Sequence, residues 1–175
     1  MNWVEYVRRD TEGSDSDTRR RAASELVKAL TARYPAQTTE LFSGYVASML
    51  AEAGGTGRAA RWKAKDCAIY LVAALTLRGK TASAGATSTN DLVNLQDFYA
   101  QESAPQPHPS PSHPRPIRQH VAPELAAADV NDLPVLKADA LKFATTFRSQ
   151  LPKATALATF PHLVKCAGGV GGCSD

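Results

Sequence analysis

The chain has 175 residues and a hydrophobic fraction of 43%, which is enough for one ordinary domain or a few structural repeats. Its formal net charge is only +3, and its basic residues are spread out apart from one run at 19–21, which argues against nucleic acid as the main partner. No apolar run reaches the roughly 20 residues that cross a bilayer, and the N-terminus lacks a signal core, so we expect neither membrane insertion nor secretion.

Helical patterns predict the first two elements. Ser14 and Asp17 match a capping box at the start of a helix over residues 16–34. Apolar residues at helical spacing predict one shared face on this helix, namely Ala23, Val27, Leu30 and Tyr34. A second helix follows Pro35 and ends at residues 54–55, where two glycines favour a left-handed C-cap.

The next segment is the most apolar part of the chain. A third helix over residues 61–78 is apolar nearly all round in its later turns, so we expect it to be the best-buried element, with Cys67 in the core. Small and polar residues predict a flexible loop over residues 79–89. Asn90 predicts the cap of a fourth helix, which carries Leu92, Leu95, Phe98 and Tyr99.

A proline-rich segment then interrupts the helical pattern. Residues 102–119 contain six prolines, which remove backbone donors and predict a disordered or polyproline II insertion. Helical signals resume at residues 120–129, and Asn131 and Asp132 predict the cap of a fifth helix. The predicted apolar face of that helix consists of Leu136, Ala140, Phe143, Ala144 and Phe147.

The last helical pattern covers residues 154–165 and contains Pro161, which predicts a kink. The remaining residues, 166–175, form a glycine-rich tail that we expect to fray.

The order of these elements predicts a repeat architecture. We detect no convincing strand, and helices one, three and five begin at intervals of roughly 45 residues, which is typical of HEAT or armadillo repeats. The predicted fold is therefore an all-α solenoid of helical hairpins, with HEAT hairpins in residues 1–101 and further HEAT helices in residues 120–165. Each hairpin buries its apolar face only against a neighbour. Because the end repeats lack polar outer faces, we expect a chain cut from a longer solenoid that folds marginally or self-associates.

Residues that often carry chemistry do not assemble into a recognisable site. His108, His113 and His120 lack the set of about four converging ligands that a structural zinc site needs. Cys166 and Cys173 are not spaced as C-x-x-C, and the odd number of three cysteines fits a reducing compartment. We therefore expect no enzyme and no catalytic, metal or cofactor site. A helical enzyme that uses one of the cysteines stays an alternative.

Four segments of the chain carry a family resemblance. They read YVRRDTEGSDSDTRRRAASELVKAL from Tyr6, LFSGYVASML from Leu41, WKAKDCAIYLVAAL from Trp62 and DLPVLKADALKFATTFRSQLPK from Asp132, with a weaker match, NDLVNLQDFYA, from Asn90. Taken together, these segments resemble the CAS/CSE1 exportin family of karyopherins. The resemblance covers most of residues 4–164 and a middle portion of a much longer family protein. Residues 102–119 and 166–175 do not fit it, which suggests a fragment or a gene product carrying intron-like sequence.

The resemblance implies a HEAT superhelix that wraps Ran-GTP together with importin-alpha and carries importin-alpha from the nucleus to the cytoplasm. It implies coupled binding rather than catalysis, because each ligand favours the same closed solenoid. It also implies a shuttling protein in nucleus and cytoplasm, including the nuclear envelope. Two other readings stay open: a generic HEAT-repeat interaction scaffold, and a truncated product that is inactive alone.

The resemblance also directs attention to two groups of basic residues. The family has a mid-solenoid insertion implicated in Ran contact, and the candidate counterpart is the loop at residues 79–89, whose charged residue is Lys80. The other candidates are the three consecutive arginines, because both partners expose acidic patches; these are Arg19, Arg20 and Arg21. For the arginines we favour a structural interpretation in which Arg21 pairs with Glu25 one helical turn away and the others are solvated.

Overall fold

The computed structural model describes residues 5–8, 18–54, 58–95, 98, 120–127, 129 and 132–168. Apart from one β-hairpin, the regular structure within these residues is helical, which confirms the predicted fold class. A helical turn at residues 5–8 comes first, and Leu95 and Phe98 are also helical. The other elements are α1 (Arg19–Arg33), α2 (Pro35–Ala53), α3 (Arg58–Thr76), β1 (Leu77–Thr81), β2 (Gly85–Thr89), α4 (Ala122–Ala126), α5 (Pro134–Thr146) and α6 (Lys153–Gly168).

Helix α1 is capped by Thr18. The Thr18 backbone is extended, with φ −90° and ψ 150°, and its hydroxyl accepts a hydrogen bond from the Arg21 backbone N–H at 3.2 Å. The predicted start at residue 16 is therefore wrong, because the chain enters the helix only after Thr18. The predicted capping box of Ser14 and Asp17 lies outside the described residues.

The buried face of α1 differs from the predicted one. Tyr34 is 52% exposed and Ala23 is exposed, and of the four predicted residues only Val27 is fully buried. The buried line runs instead through Ser24, Val27 and Thr31. The Thr31 hydroxyl donates to the Val27 carbonyl at 2.8 Å, so this polar side chain is satisfied within its own helix. A pattern based on hydrophobicity alone misses such a residue.

Helices α2 and α3 form a helical hairpin at the centre of the fold. Helix α2 ends at Ala53, α3 begins at Arg58, and the two helices pack along each other. Gly54 ends α2 as predicted, but with φ −75° it is right-handed, so the left-handed cap is wrong at this residue. Helix α3 also contacts α1 and α5, which makes it the helix around which the others pack.

The core lies between α3 and α5. Ala68, Ile69, Val72, Ala74 and Leu75 of α3 are buried, but α5 is buried to a similar extent, so α3 is not set apart as the best-buried element. Every residue of the predicted α5 face is buried as well. Tilted aromatic rings contact one another here, with the centroids of Phe98 and Phe143 at 5.5 Å and those of Phe143 and Phe147 at 4.7 Å.

Residues 77–89 form an antiparallel β-hairpin, so the predicted loop at 79–89 and the absence of strands are both wrong, and α3 ends at Thr76 rather than residue 78. Asn90 does not cap a helix here. Its side chain accepts from the Leu92 N–H and donates to the Thr39 hydroxyl at 2.9 Å, while the next residues form a turn. Asn90 therefore links the end of the hairpin to α2 by a hydrogen bond, and its buried amide has the partners that burial requires.

The turn that follows α5 holds the hairpin from the other side. Arg148 donates to the carbonyls of Ala82 and Ser83 at 2.9 and 2.6 Å. Gln150 donates to the Ala86 carbonyl at 2.6 Å, and the Ser149 hydroxyl donates to the Ala84 carbonyl. These side-chain donors bind carbonyls of the hairpin turn and of β2, and so attach the hairpin to the end of α5.

We expect Gly85→Ala to lower the free energy of unfolding by about 2 kcal/mol, because Gly85 has φ +75° and an added Cβ would lie 2.5 Å from the Thr146 carbonyl oxygen. The matched control is Gly44→Ala in α2, where nothing lies within 4 Å of an added Cβ and alanine should raise stability by about 1 kcal/mol. Urea denaturation of both variants measures the two effects. Equal stability for the two variants would contradict the tight docking of the hairpin.

The C-terminal helices complete the described fold. Helix α4 packs on α5 and α6, and α5 begins after Leu133, which has φ +49° and provides no side-chain cap. The predicted cap residue Asn131 lies outside the described residues. Helix α6 continues through Pro161, and its solvent side carries an apolar stripe at helical spacing, formed by Leu157, Phe160 and Val164.

Candidate partner-binding surface

The three consecutive arginines face different environments. The Arg20 guanidinium enters the fold and makes a bidentate pair with Asp66 of α3, with nitrogen–oxygen distances of 2.8 and 3.0 Å. Arg19 and Arg21 are exposed on the surface of α1. A helix places consecutive side chains about 100° apart, so only one residue of the run can turn towards α3.

Other groups complete the surroundings of the Arg20 guanidinium. It donates to the Tyr6 hydroxyl at 2.5 Å and stacks on the Tyr70 ring with its Cζ 4.0 Å from the ring centroid. A second buried carboxylate, Asp139 of α5, has an oxygen 3.8 Å from the guanidinium. We call this set the arginine hub; its members are Tyr6, Arg20, Asp66, Tyr70 and Asp139. It joins the first helical turn to α1, α3 and α5 through one planar cation.

The hub changes the interpretation of the candidate residues. The expectation that Arg20 is solvated is wrong, because its guanidinium is held between Asp66 and Tyr70. The predicted ion pair between Arg21 and Glu25 is also wrong. The Glu25 carboxylate binds the Lys28 ammonium instead, at 2.7 Å. Arg19 and Arg21 stay candidates for partner contact, since their side chains are exposed.

Lys80 lies on an exposed, positively charged hairpin. It occupies β1 opposite Ala86, and its side chain is exposed. In residues 77–90 and 145–150 the charged residues are Arg78, Lys80 and Arg148, and all three are positive. Arg78 and Arg148 were not singled out from the sequence, because it gives no sign that residues so far apart meet at one corner of the fold. We call residues 77–89 the basic hairpin.

A second buried ion pair uses the α3 residue directly before Asp66. The Lys65 ammonium is 2.5 Å from a Glu124 carboxylate oxygen, and Glu124 is buried in α4. His120 packs beside this pair, with its ring centroid 5.5 Å from that of Phe98. Burial, helped by the nearby Lys65 ammonium and opposed by Glu124, lowers the pKa of His120 to about 4, so the imidazole is neutral at pH 7.

The described cysteines give no support to thiol chemistry. Cys67 is exposed, so its predicted place in the core is wrong; it lines a groove of about 350 Å³ between α1 and α3. Loss of solvent around the thiol, together with the Asp66 carboxylate, raises the pKa of Cys67, whereas a nucleophilic thiol needs a lowered one. Cys166 is half-buried, and Cys173 lies outside the described residues.

The described residues also contain no group of three or more His, Cys, Asp and Glu side chains placed to hold a metal ion. His108 and His113 lie outside those residues. Among the helices that the structure describes, none combines the length and apolar character needed to cross a bilayer.

Comparisons with known proteins agree with the resemblance in the sequence. Residues 1–168 match the Cse1 family model. The chain is 45% identical to Exportin-2 of Oreochromis niloticus and 43% identical to Exportin-2 of Homo sapiens, in each case over 163 residues that are 93% of this chain and 15% of the relative. A solved structure, the exportin Cse1 in its cargo-free, cytoplasmic state, matches with a TM-score of 0.72 and 34% identity over 93% of this chain and 15% of that chain. This match confirms the predicted helical-repeat fold, and the chain spans about 15% of the length of these relatives.

Proposed function

We propose, because this chain belongs to the Cse1 exportin family, that it forms part of a nuclear export receptor that binds Ran-GTP and importin-alpha. In this proposal the receptor carries importin-alpha from the nucleus to the cytoplasm and shuttles between the two compartments. The observation that carries the proposal is the match over residues 1–168, which includes α1 to α6 and the basic hairpin.

The proposed mechanism is coupled binding. If Ran-GTP and importin-alpha both favour the same curvature of the solenoid, each raises the affinity of the other by the same factor. Hydrolysis of GTP on Ran would remove one of the two ligands and release the cargo. The described helices would supply the packed frame for such a change of curvature, because α3 contacts α1, α2 and α5 at once.

Within this frame we assign the partner contacts to exposed basic residues. Arg19 and Arg21 on α1 and Lys80 on the basic hairpin are exposed and positive, so they suit acidic patches on a partner protein. Arg20 is left out of this set, because withdrawing it from Asp66 would leave a buried carboxylate without the cation it pairs with. Arg78 joins the set, since it is exposed on the same strand as Lys80.

A pull-down with GTP-locked Ran, with and without importin-alpha, tests the proposal on this chain and on a full-length relative. We expect the relative to retain both proteins. In this chain, the double variant Lys80→Glu with Arg78→Glu should weaken Ran binding by about tenfold at low salt. The matched control is Lys28→Glu, a charge reversal on α1 at a residue that pairs with Glu25. No retention of Ran by either protein would refute the proposal.

The same experiment tests the reading in which this chain is inactive alone. The chain spans 15% of its relatives, and the apolar stripe of α6 is exposed in it. Retention by the relative but not by this chain would support that reading, since partners of a solenoid contact many repeats. Retention of unrelated proteins but not of Ran would instead support a generic HEAT scaffold.

A further inference from the structure

The tip of the basic hairpin presents two hydroxyl groups beside positive charge. Thr81 and Ser83 are exposed, and their hydroxyl oxygens lie 3.5 Å apart. Arg78 precedes Thr81 by three residues, and Lys80 precedes Ser83 by three residues. The same hairpin carries two further exposed hydroxyls, Thr87 and Ser88, without a basic residue in the three positions before Thr87.

We propose that the hydroxyl pair of Thr81 and Ser83 is a phosphorylation site for a protein kinase that selects basic residues on the N-terminal side of its acceptor. Such kinases read substrates by charge pattern, with acidic side chains facing the basic ones. Thr81 and Ser83 lie at an exposed turn between two short strands, which gives a kinase access to their hydroxyls.

The reaction needs ATP as the phosphoryl donor. One hydroxyl oxygen attacks the γ-phosphorus, a new oxygen–phosphorus bond forms, and the bond from the γ-phosphorus to its bridging oxygen breaks. ADP leaves, and the hydroxyl proton passes to the catalytic aspartate of the kinase.

The turn can accommodate the product. Thr81 Oγ1 already accepts a hydrogen bond from the Ala84 backbone N–H at 3.2 Å, and a phosphate oxygen could accept from the same donor. The Arg148 guanidinium lies beside the turn, since it donates to the carbonyls of Ala82 and Ser83. A phosphate on either hydroxyl would therefore lie near the positive charge of Arg148.

The phosphate also changes the charge of the hairpin. It adds about −1.5 to −2 charges at neutral pH, which offsets the two positive charges of Arg78 and Lys80. We infer that phosphorylation weakens the binding of acidic partners at this hairpin. This second step rests on the proposed function, whereas the modification itself does not.

The modification is tested on the 175-residue chain with MgATP and either calmodulin-dependent or cyclic-AMP-dependent protein kinase. Mass spectrometry should locate one phosphate on Thr81 or Ser83. The double variant Thr81→Ala with Ser83→Ala should lose it, while the matched control, Thr87→Ala with Ser88→Ala, should keep it. Arg78→Gln with Lys80→Gln should slow the reaction by about tenfold.

Two outcomes would overturn the site. One is modification of a synthetic peptide of residues 76–90 without modification of the chain, which would show that the docked hairpin is closed to the kinase. The other is that neither kinase modifies the peptide or the chain, which would show that the charge pattern is not recognised.

Binding is then compared between phosphorylated and unmodified chain in the Ran pull-down, with an expected loss of about tenfold. Unchanged binding of Ran would refute the regulatory step. Absence of Ran binding to either form, with the phosphate mapped to this turn, would count against the proposed function and leave the modification site standing.

Discussion

Replacing Arg20 with alanine is expected to lower the free energy of unfolding by about 3 kcal/mol, because the pair that it breaks is mostly buried. The side chains of Arg20 and Asp66 are 24% and 9% exposed. Loss of the guanidinium leaves the Asp66 carboxylate buried without its cation and removes the stacking on Tyr70. Urea denaturation followed by circular dichroism measures the change.

The neighbouring arginines provide the control for this result. Arg19→Ala and Arg21→Ala remove the same side chain from exposed positions of the same helix and should change stability by less than about 0.5 kcal/mol. The loss of stability in Arg20→Lys should lie between that of Arg20→Ala and that of the two exposed variants, since lysine keeps the charge but loses the bidentate geometry and the planar stacking. If Arg20→Ala were no more destabilising than Arg19→Ala, the hub would not stabilise the fold.

Phe147→Ala should lower the free energy of unfolding by about 3–5 kcal/mol, because it opens a cavity at the end of the core. The Phe147 side chain is fully buried, and its ring lies against that of Phe143 at the point where the backbone leaves α5 for the turn that holds the hairpin. Denaturant unfolding of the variant gives the size of the loss.

The chain offers a matched aromatic on the surface. Phe160 of α6 is 56% exposed, so Phe160→Ala should cost less than about 1 kcal/mol. Similar losses for the two variants would mean that the α6 stripe is buried in solution, for example against a second copy of the chain. Sedimentation of the parent and of Phe160→Ala distinguishes that case.

The sequence predicts the helices and the α5 face well because their signal is local. Leu136, Ala140 and Phe143 follow the helical period, and a helix with that period has one apolar side to bury. The hairpin is missed because its strands carry no such local pattern. Its strands are short, rich in threonine and small residues, and interrupted by register shifts, so the alternation that marks a strand is absent.

The candidate site is predicted only in part, because side-chain partners are set by packing between distant elements. Arg19, Arg20 and Arg21 look equivalent in the sequence, yet only Arg20 meets Asp66, which lies 46 residues away. One signal was present: Asp66 is a charged residue on the apolar side of a mostly buried helix, and such a residue requires a partner. The sequence does not say which of the three arginines supplies it.

The anchors of the basic hairpin have a consequence for the order of assembly during synthesis. Arg148 lies 66 residues beyond Ala82, whose carbonyl it binds, so the two strands leave the ribosome on the order of seconds before their receiving turn exists. Two strands without further support are marginally stable in water. Helices α1 to α3 can therefore pack against one another while translation continues, and the hairpin docks only after α5 and the turn that follows it have been synthesised.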